Sequence, residues 1–210
     1  MKHGRFIALE GGEGVGKSTQ GRMLAASLQA LGHKVVLTRE PGGTAGAEAI
    51  RSLLLGVEGD GWNPRAEALL FAAARSDHVD RLIRPALAAG QWVICDRFVD
   101  SSRAYQGGGG GLSDADIVTL HAIGSAGLLP DITLLIEVPS EVTSARLAAR
   151  DVDGPDRIGG RGAEYHNRVA AAFARLAEAE PARFARIDGQ GTADAIHLRI
   201  MAALAGLLGA

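Results

Sequence analysis

A chain of 210 residues is long enough to bury a full hydrophobic core and short for two independent domains. Its formal net charge of -2 argues against a general attraction to nucleic acid or an anionic membrane. The single cysteine, Cys95, excludes an internal disulfide and fits a reducing cytoplasm. The first apolar run is broken at Glu10, too soon for a signal peptide, and no later stretch approaches a membrane span, so a cytoplasmic protein is expected.

Apolar runs alternate with helical patterns along the chain. Phe6 to Leu9 reads as a buried strand, followed by an amphipathic helix from Lys17 to Leu31 that Gly32 stops. Val35 to Thr38 is the next strand, and helices are expected over Thr44 to Leu55 and Pro64 to Ala89. Trp92 to Cys95 forms a third strand ended by Asp96. Ser113 opens a further helix, with Asp116 three residues on as in a capping box. Ile132 to Val138 is a fourth strand. Helices follow over Glu141 to Ala149, Ala163 to Ala179 and Thr192 to Leu208, with a short strand, Phe184 to Ile187, between the last two. Strands separated by helices predict βαβ units: a three-layer α/β fold with a central five-stranded parallel sheet and helices on both faces. Ligands of such sheets bind beyond the carboxyl ends of the strands. Three chemically loaded segments fall at such ends, Gly11–Ser18, Arg39–Thr44 and Asp96–Gly111, so one cleft is expected to hold them all.

The segment Gly11-Gly12-Glu13-Gly14-Val15-Gly16-Lys17-Ser18 fits G-x-x-x-x-G-K-[ST], between a strand and a helix as that motif requires. Its glycines let backbone N–H groups turn inward around phosphate oxygens, and the following helix points its positive end at the same place. Lys17 is suited to the β- and γ-phosphates of ATP, with Thr19 on the flank of the same site. The Ser18 hydroxyl is suited to Mg²⁺. Asp96, after an apolar strand, sits where a Walker B acid would help hold the metal or position the attacking phosphate. On its own it would read as a cap.

A phosphate loop does not name a reaction. A GTPase needs a guanine-reading Asn-Lys-x-Asp segment, and Lys2, Lys17 and Lys34 are the only lysines, none in that context. A small-molecule kinase needs a second anion site facing the γ-phosphate and arginines that cover the transfer. Arg39, Arg51, Arg75 and Arg97 are candidates for the first. Arg146, Arg150, Arg157 and Arg161 surround a Gly/Asp/Arg-rich stretch, at about 150–162, that reads as a mobile lid. From the residues alone three readings stay open: a kinase for thymidylate, a kinase for another nucleotide or metabolite, and a nucleotide-binding switch.

At Arg39-Glu-Pro-Gly-Gly-Thr44 and at Asp96-Arg-Phe-Val-Asp-Ser-Ser-Arg-Ala-Tyr-Gln-Gly107 the chain resembles the bacterial thymidylate kinase family. The likeness also takes in Glu10–Gly14, Leu70–Arg75, Pro130-Asp131 and Asp156-Arg157-Ile158, and so runs nearly end to end. The resemblance implies a single P-loop nucleoside monophosphate kinase domain over residues 1–210, transfer of the γ-phosphoryl group of MgATP to dTMP, and a homodimer. Glu13 would contact the acceptor sugar. Arg97, helped by Arg39 or Arg51, would hold the dTMP phosphate. Phe71 would stack on thymine, with Arg75 one turn on bonding a carbonyl. Ser102 and Gln106 would read the base edge, and Tyr105 would lie against the sugar. Glu40 and Pro41 belong to the same acceptor side. On pattern alone, Phe71 reads as core, Tyr105 as an ordinary loop aromatic, and Glu40 and Pro41 as parts of a turn.

The variable loop positions Gly12 to Val15 carry no arginine. Family variants of this kind supply the charge from the lid, which implies Arg157 as the transition-state arginine and Arg150 as the second candidate. Such arginines change turnover on the order of 10³-fold or more. Two positions depart from the family pattern. Gly110 stands where an arginine is common, and Gly159-Gly160-Arg161-Gly162 where acidic residues are common. The second departure predicts a looser lid or a role for Arg161. The histidines, His78, His121 and His166 among them, show no metal-like grouping in sequence. Cys95 is expected to be buried and inert.

Overall fold

A computed structural model describes residues 4–57, 61–139, 142–143 and 157–209. The expected parallel sheet is present, in the order β2-β3-β1-β4-β5. Its strands are β1 (Phe6–Glu10), β2 (Val35–Arg39), β3 (Trp92–Asp96), β4 (Ile132–Glu137) and β5 (Phe184–Asp188). All four neighbouring pairs are parallel. Each strand feeds a helix: α1 (Lys17–Ala30), α2 (Ala45–Gly56), α3 (Pro64–His78), α4 (Arg84–Ala88), α5 (Val99–Ser102), α6 (Asp114–Ser125), α7 (Ala163–Ala179), α8 (Ala193–Ala203) and α9 (Ala205–Leu208). The helix expected over residues 141–149 lies outside the described residues apart from Val142 and Thr143.

The strand side chains alternate between two cores, as a pleat requires. Ile7, Leu9, Ile94, Leu134 and Ile136 pack with Leu24 and Leu28 of α1 and with Ile196 and Ile200 of α8. On the opposite face, Phe6, Ala8, Val93 and Cys95 pack with Val79, Ile83 and Phe98. Because β1, β3 and β4 are covered on both faces, they read in sequence as near-continuous apolar runs. Helix starts carry side-chain caps at Thr44, Asn63, Ser113 and Thr192, each accepting from the N–H three residues on. Each cap contributes about 1 kcal/mol.

Two segments differ from the expected pattern. The helix expected over Pro64 to Ala89 is continuous but loosened, with a π-helical stretch at Val79–Ile83 between α3 and α4. That stretch lies just ahead of Pro85, whose ring cannot take an ordinary place within an α-helix. The segment after β3, for which no element was expected, is helical: α5 runs into a wide π-helical turn, Arg103–Gly109. Helix α7 packs directly on that turn. A Cβ at Gly108 would collide with Ala172, so the glycine run serves a close helix contact there. Buried Asp100 anchors the same segment to β4 and β5 through Arg183 and Thr133.

Candidate active site

The carboxyl ends of β1, β2 and β3 open into one cleft of about 500 Å³. Its walls include Glu13, Gly14, Gly16, Lys17, Ser18 and Thr19 on one side, and Arg39, Glu40, Pro41, Arg51, Phe71, Arg75, Ser102, Tyr105 and Gln106 on the other. Asp96, Arg97 and Ser101 lie on the walls with both groups. Gly11, Gly12 and Val15 belong to the loop without forming part of that wall.

The phosphate loop owes its shape to left-handed glycines. Gly11 has φ 134° and Gly16 φ 99°. A Cβ at Gly11 would strike the Ile136 carbonyl of the neighbouring strand, so only glycine lets the loop leave β1 beside β4. Gly16 is the residue before α1, which places Lys17 and Ser18 in that helix's first turn. The Lys17 ammonium donates to the carbonyls of Gly11 (3.2 Å) and Gly12 (2.6 Å). Burial, assisted by the Arg97 charge, lowers its pKa to about 8 against the pull of Asp96, Glu13 and Glu10. The Ser18 hydroxyl donates to Asp96 Oδ2 at 2.7 Å. A hydroxyl and a carboxylate are the hard oxygen donors that Mg²⁺ takes alongside water and phosphate oxygens, so this pair fits the metal of a nucleotide site.

Arg97 occupies the middle of the cleft in a left-handed backbone conformation, φ 71°. Its guanidinium donates to Glu13 (2.6 Å), the Tyr105 hydroxyl (3.1 Å), Ser101 Oγ (3.1 Å) and the Gly11 carbonyl (3.1 Å). Beneath it lies Glu10, wholly buried at the end of β1. Glu10 accepts from the N–H groups of Phe98 and Ser101 and from the Ser101 hydroxyl, at 2.8, 3.0 and 2.6 Å. Burial, then the Asp100 charge, pushes the Glu10 pKa from 4.5 to about 7, partly offset by the Ser101 hydrogen bond. Glu10 and Ser101 were missed as site residues by motif reading. The available signal was a carboxylate closing an apolar strand, a position that burial makes costly unless it is fully bonded.

On the acceptor side, α3 presents Phe71 and Arg75 one turn apart, as expected. Arg75 is almost fully buried and donates to Glu40 (2.7 Å), to Ser102 Oγ (2.9 Å) and to the Phe98 carbonyl (3.3 Å). Glu40 therefore acts by holding Arg75. Its other oxygen meets His78 Nδ1 at 3.1 Å, while His78 Nε2 pairs with Thr38. Glu40, His78 and Cys95 form a buried group that no spacing along the chain foretells. Both His78 nitrogens and Glu40 already have partners, and burial and the Glu40 charge raise the Cys95 thiol pKa. The group is thus a brace for Arg75. Arg51 donates to the Pro41 carbonyl, and Arg39, on the exposed rim, pairs with Glu48.

Arg157, the expected lid arginine, does not line the cleft. Its Nη2 lies 2.5 Å from Glu67 and its Nε donates to the Leu54 carbonyl; the neighbouring Ile158 is the wall residue. Arg161 reaches the same Glu67 oxygen. Arg150 and Arg146 lie outside the described residues.

A parallel sheet with a phosphate loop at its switch point, a metal-ready Ser–Asp pair and an arginine-centred pocket facing the loop defines a P-loop phosphotransferase. The family model for thymidylate kinase matches residues 9–200. The thymidylate kinase of Rhizorhabdus wittichii is 60% identical over 205 residues, 98% of this chain and 99% of that one. That of Caulobacter vibrioides is 48% identical over 200 residues, 95% of each. The crystal structure of thymidylate kinase from Ehrlichia chaffeensis superposes with a TM-score of 0.78 at 33% identity, over 96% of this chain and 99% of that one. The chain belongs to the thymidylate kinase family. Among the described residues no helix is long and apolar enough to cross a membrane.

Proposed function

We propose that the chain phosphorylates dTMP to dTDP with MgATP, with the loop Gly11–Thr19 as donor site and the Arg39–Gln106 wall as acceptor site. The observation that carries this division is Arg97, bonded at once to the loop, at the Gly11 carbonyl and at Glu13, and to Tyr105 of the acceptor wall. A phosphate arriving there exchanges for Glu13 on a guanidinium already fixed in orientation, which suits two parallel N–H bonds to phosphate oxygens. Glu13 is then freed toward the acceptor sugar. Phe71 covers the base, Arg75 donates to a base carbonyl, and Gln106 and Ser102 complete the edge.

An acceptor phosphate oxygen attacks the γ-phosphorus in line, and the bond from that phosphorus to the β,γ-bridging oxygen breaks, releasing ADP. Lys17 neutralises charge on the donor phosphates. Ser18 and Asp96 would hold Mg²⁺, which supplies charge neutralisation at the β- and γ-oxygens. We assign residues 150–162 to the lid, with Arg157 as its transition-state arginine and Arg150 as the second candidate. Resting on Glu67 and outside the cleft wall, Arg157 reaches phosphate only if the segment moves. A homodimer is proposed from the family and from apolar side chains exposed on α3 and α6, Leu69 and Ile123. A cytoplasmic location is proposed from the free, buried Cys95 and the nucleotide substrates.

The test is ADP formation from MgATP with dTMP, dUMP, CMP, GMP and AMP offered singly. Preference for dTMP is expected, with dUMP retained in part, since one methyl group is worth only about 1–3 kcal/mol in a pocket. Preference for another acceptor, or no acceptor-stimulated turnover, refutes the assignment.

A further inference from the structure

Glu67 belongs to no phosphate or acceptor motif and is not a wall of the cleft, yet it is buried and bonded to three functional side chains. It lies on α3 one turn before Phe71 and two before Arg75, so the three share one helix face. Its Oε1 accepts from Gln106 Nε2 at 3.0 Å. Its Oε2 takes Arg157 and Arg161, each at 2.5 Å. Arg161 is braced in turn: it donates to the Tyr165 hydroxyl at 2.7 Å, which donates to the Tyr105 carbonyl at 3.0 Å.

An amide side chain can turn over at little cost unless a neighbour decides its direction. A carboxylate held between two guanidinium groups accepts hydrogen bonds and donates none. It therefore compels Gln106 to point its NH₂ at Glu67. The Gln106 side-chain oxygen, Oε1, without a partner among the described residues, is left on a side chain that lines the cleft. Thymine and uracil carry a hydrogen on N3, which that oxygen can accept. Cytosine carries a lone pair on N3, which it repels.

We propose that Glu67 is a positioning residue for acceptor choice: with its charge held by Arg157 and Arg161, it locks the Gln106 amide in the orientation that accepts from N3–H and rejects cytosine. The inference rests on the reading of Gln106 as a base contact. Base discrimination and the lid segment thereby share one carboxylate, and Arg161, in the glycine-rich stretch at 159–162, is part of the base site at one remove.

The experiment compares wild type with Glu67→Gln, measuring KM for dTMP and the inhibition constant of dCMP against dTMP phosphorylation. Glu67→Gln keeps the shape and lets either end of Gln106 face the cleft. The ratio of dCMP inhibition constant to dTMP KM is expected to fall about fivefold or more, the scale of one hydrogen bond, with Arg75 preserving the remaining discrimination. Glu67→Asp, which keeps the charge but withdraws it from Gln106 by one methylene, is expected to lower the ratio likewise and serves if the first variant does not fold. A variant that folds and turns over more slowly with the ratio unchanged overturns the proposal, because a merely structural role weakens both nucleotides together. Absence of dTMP-dependent turnover in the wild type would instead overturn the acceptor assignment itself.

Discussion

Raising the pH from 7 to 9 is expected to weaken ATP binding about tenfold, through Lys17 alone. In the empty protein the Lys17 ammonium is buried with two carbonyl oxygens and a neighbouring guanidinium, and its pKa falls from 10.5 to about 8. The sign follows from which state holds the proton more tightly. Bound phosphates favour the ammonium, so the bound form keeps its proton where the empty form has lost it, and affinity falls as pH rises past 8. With an empty-state pKa of about 8, only about one molecule in ten is protonated at pH 9, a cost of about 1.4 kcal/mol in apparent binding free energy. Titration calorimetry with a non-hydrolysable ATP analogue at fixed Mg²⁺ reads this directly. The same experiment near pH 9 shows uptake of most of one proton as a buffer-dependent heat. Lys17→Met is expected to bind weakly and without the slope. An affinity constant within twofold from pH 7 to 9, or an equal slope in Lys17→Met, would show that Lys17 keeps its proton throughout or is not the titrating group.

Three further outcomes follow from the same geometry. Arg157→Ala is expected to lower single-turnover rate on the order of 10³-fold or more while dTMP affinity changes less than about threefold; a loss confined to dTMP binding would make Arg157 only a prop for Glu67. Ser18→Ala, which removes one of the two oxygens assigned to the metal, should raise the Mg²⁺ concentration for half-maximal turnover about tenfold, and an unaltered Mg²⁺ titration would remove Ser18 from that role. Glu10 has a folded-state pKa raised above 4.5, to about 7, so its stabilising contribution is full below pH 4.5 and is lost as pH rises through 7. Urea unfolding from pH 5 to 8 should therefore show wild type losing stability relative to Glu10→Gln as pH rises; a constant difference between the two would deny the shift.

Much of this protein is legible in the amino-acid sequence because the relevant physics is local. The loop Gly11–Ser18 shows its purpose in its residues: glycines for positive φ, a lysine and a hydroxyl at the start of a helix. Buried strands declare themselves as apolar runs, and Ser113 and Thr192 mark helix starts through bonds three residues long. Phe71 and Arg75 announce a shared face by their spacing. Glu67 continues that stripe one turn earlier, yet nothing local separates it from a solvated helix carboxylate. Its meaning comes from Gln106, 39 residues on, and from Arg157 and Arg161, 90 and 94 residues on. The same holds for Glu10, whose partners Phe98 and Ser101 arrive only when β1 and β3 pair. Sequence determined which side chains carry charge, bind phosphate and form strands. Tertiary structure decided which of those charges meet, because burial and long-range pairing set their partners, pKa values and reach. It is this that puts Arg97 at the centre of the cleft and Arg157 on a carboxylate beside it.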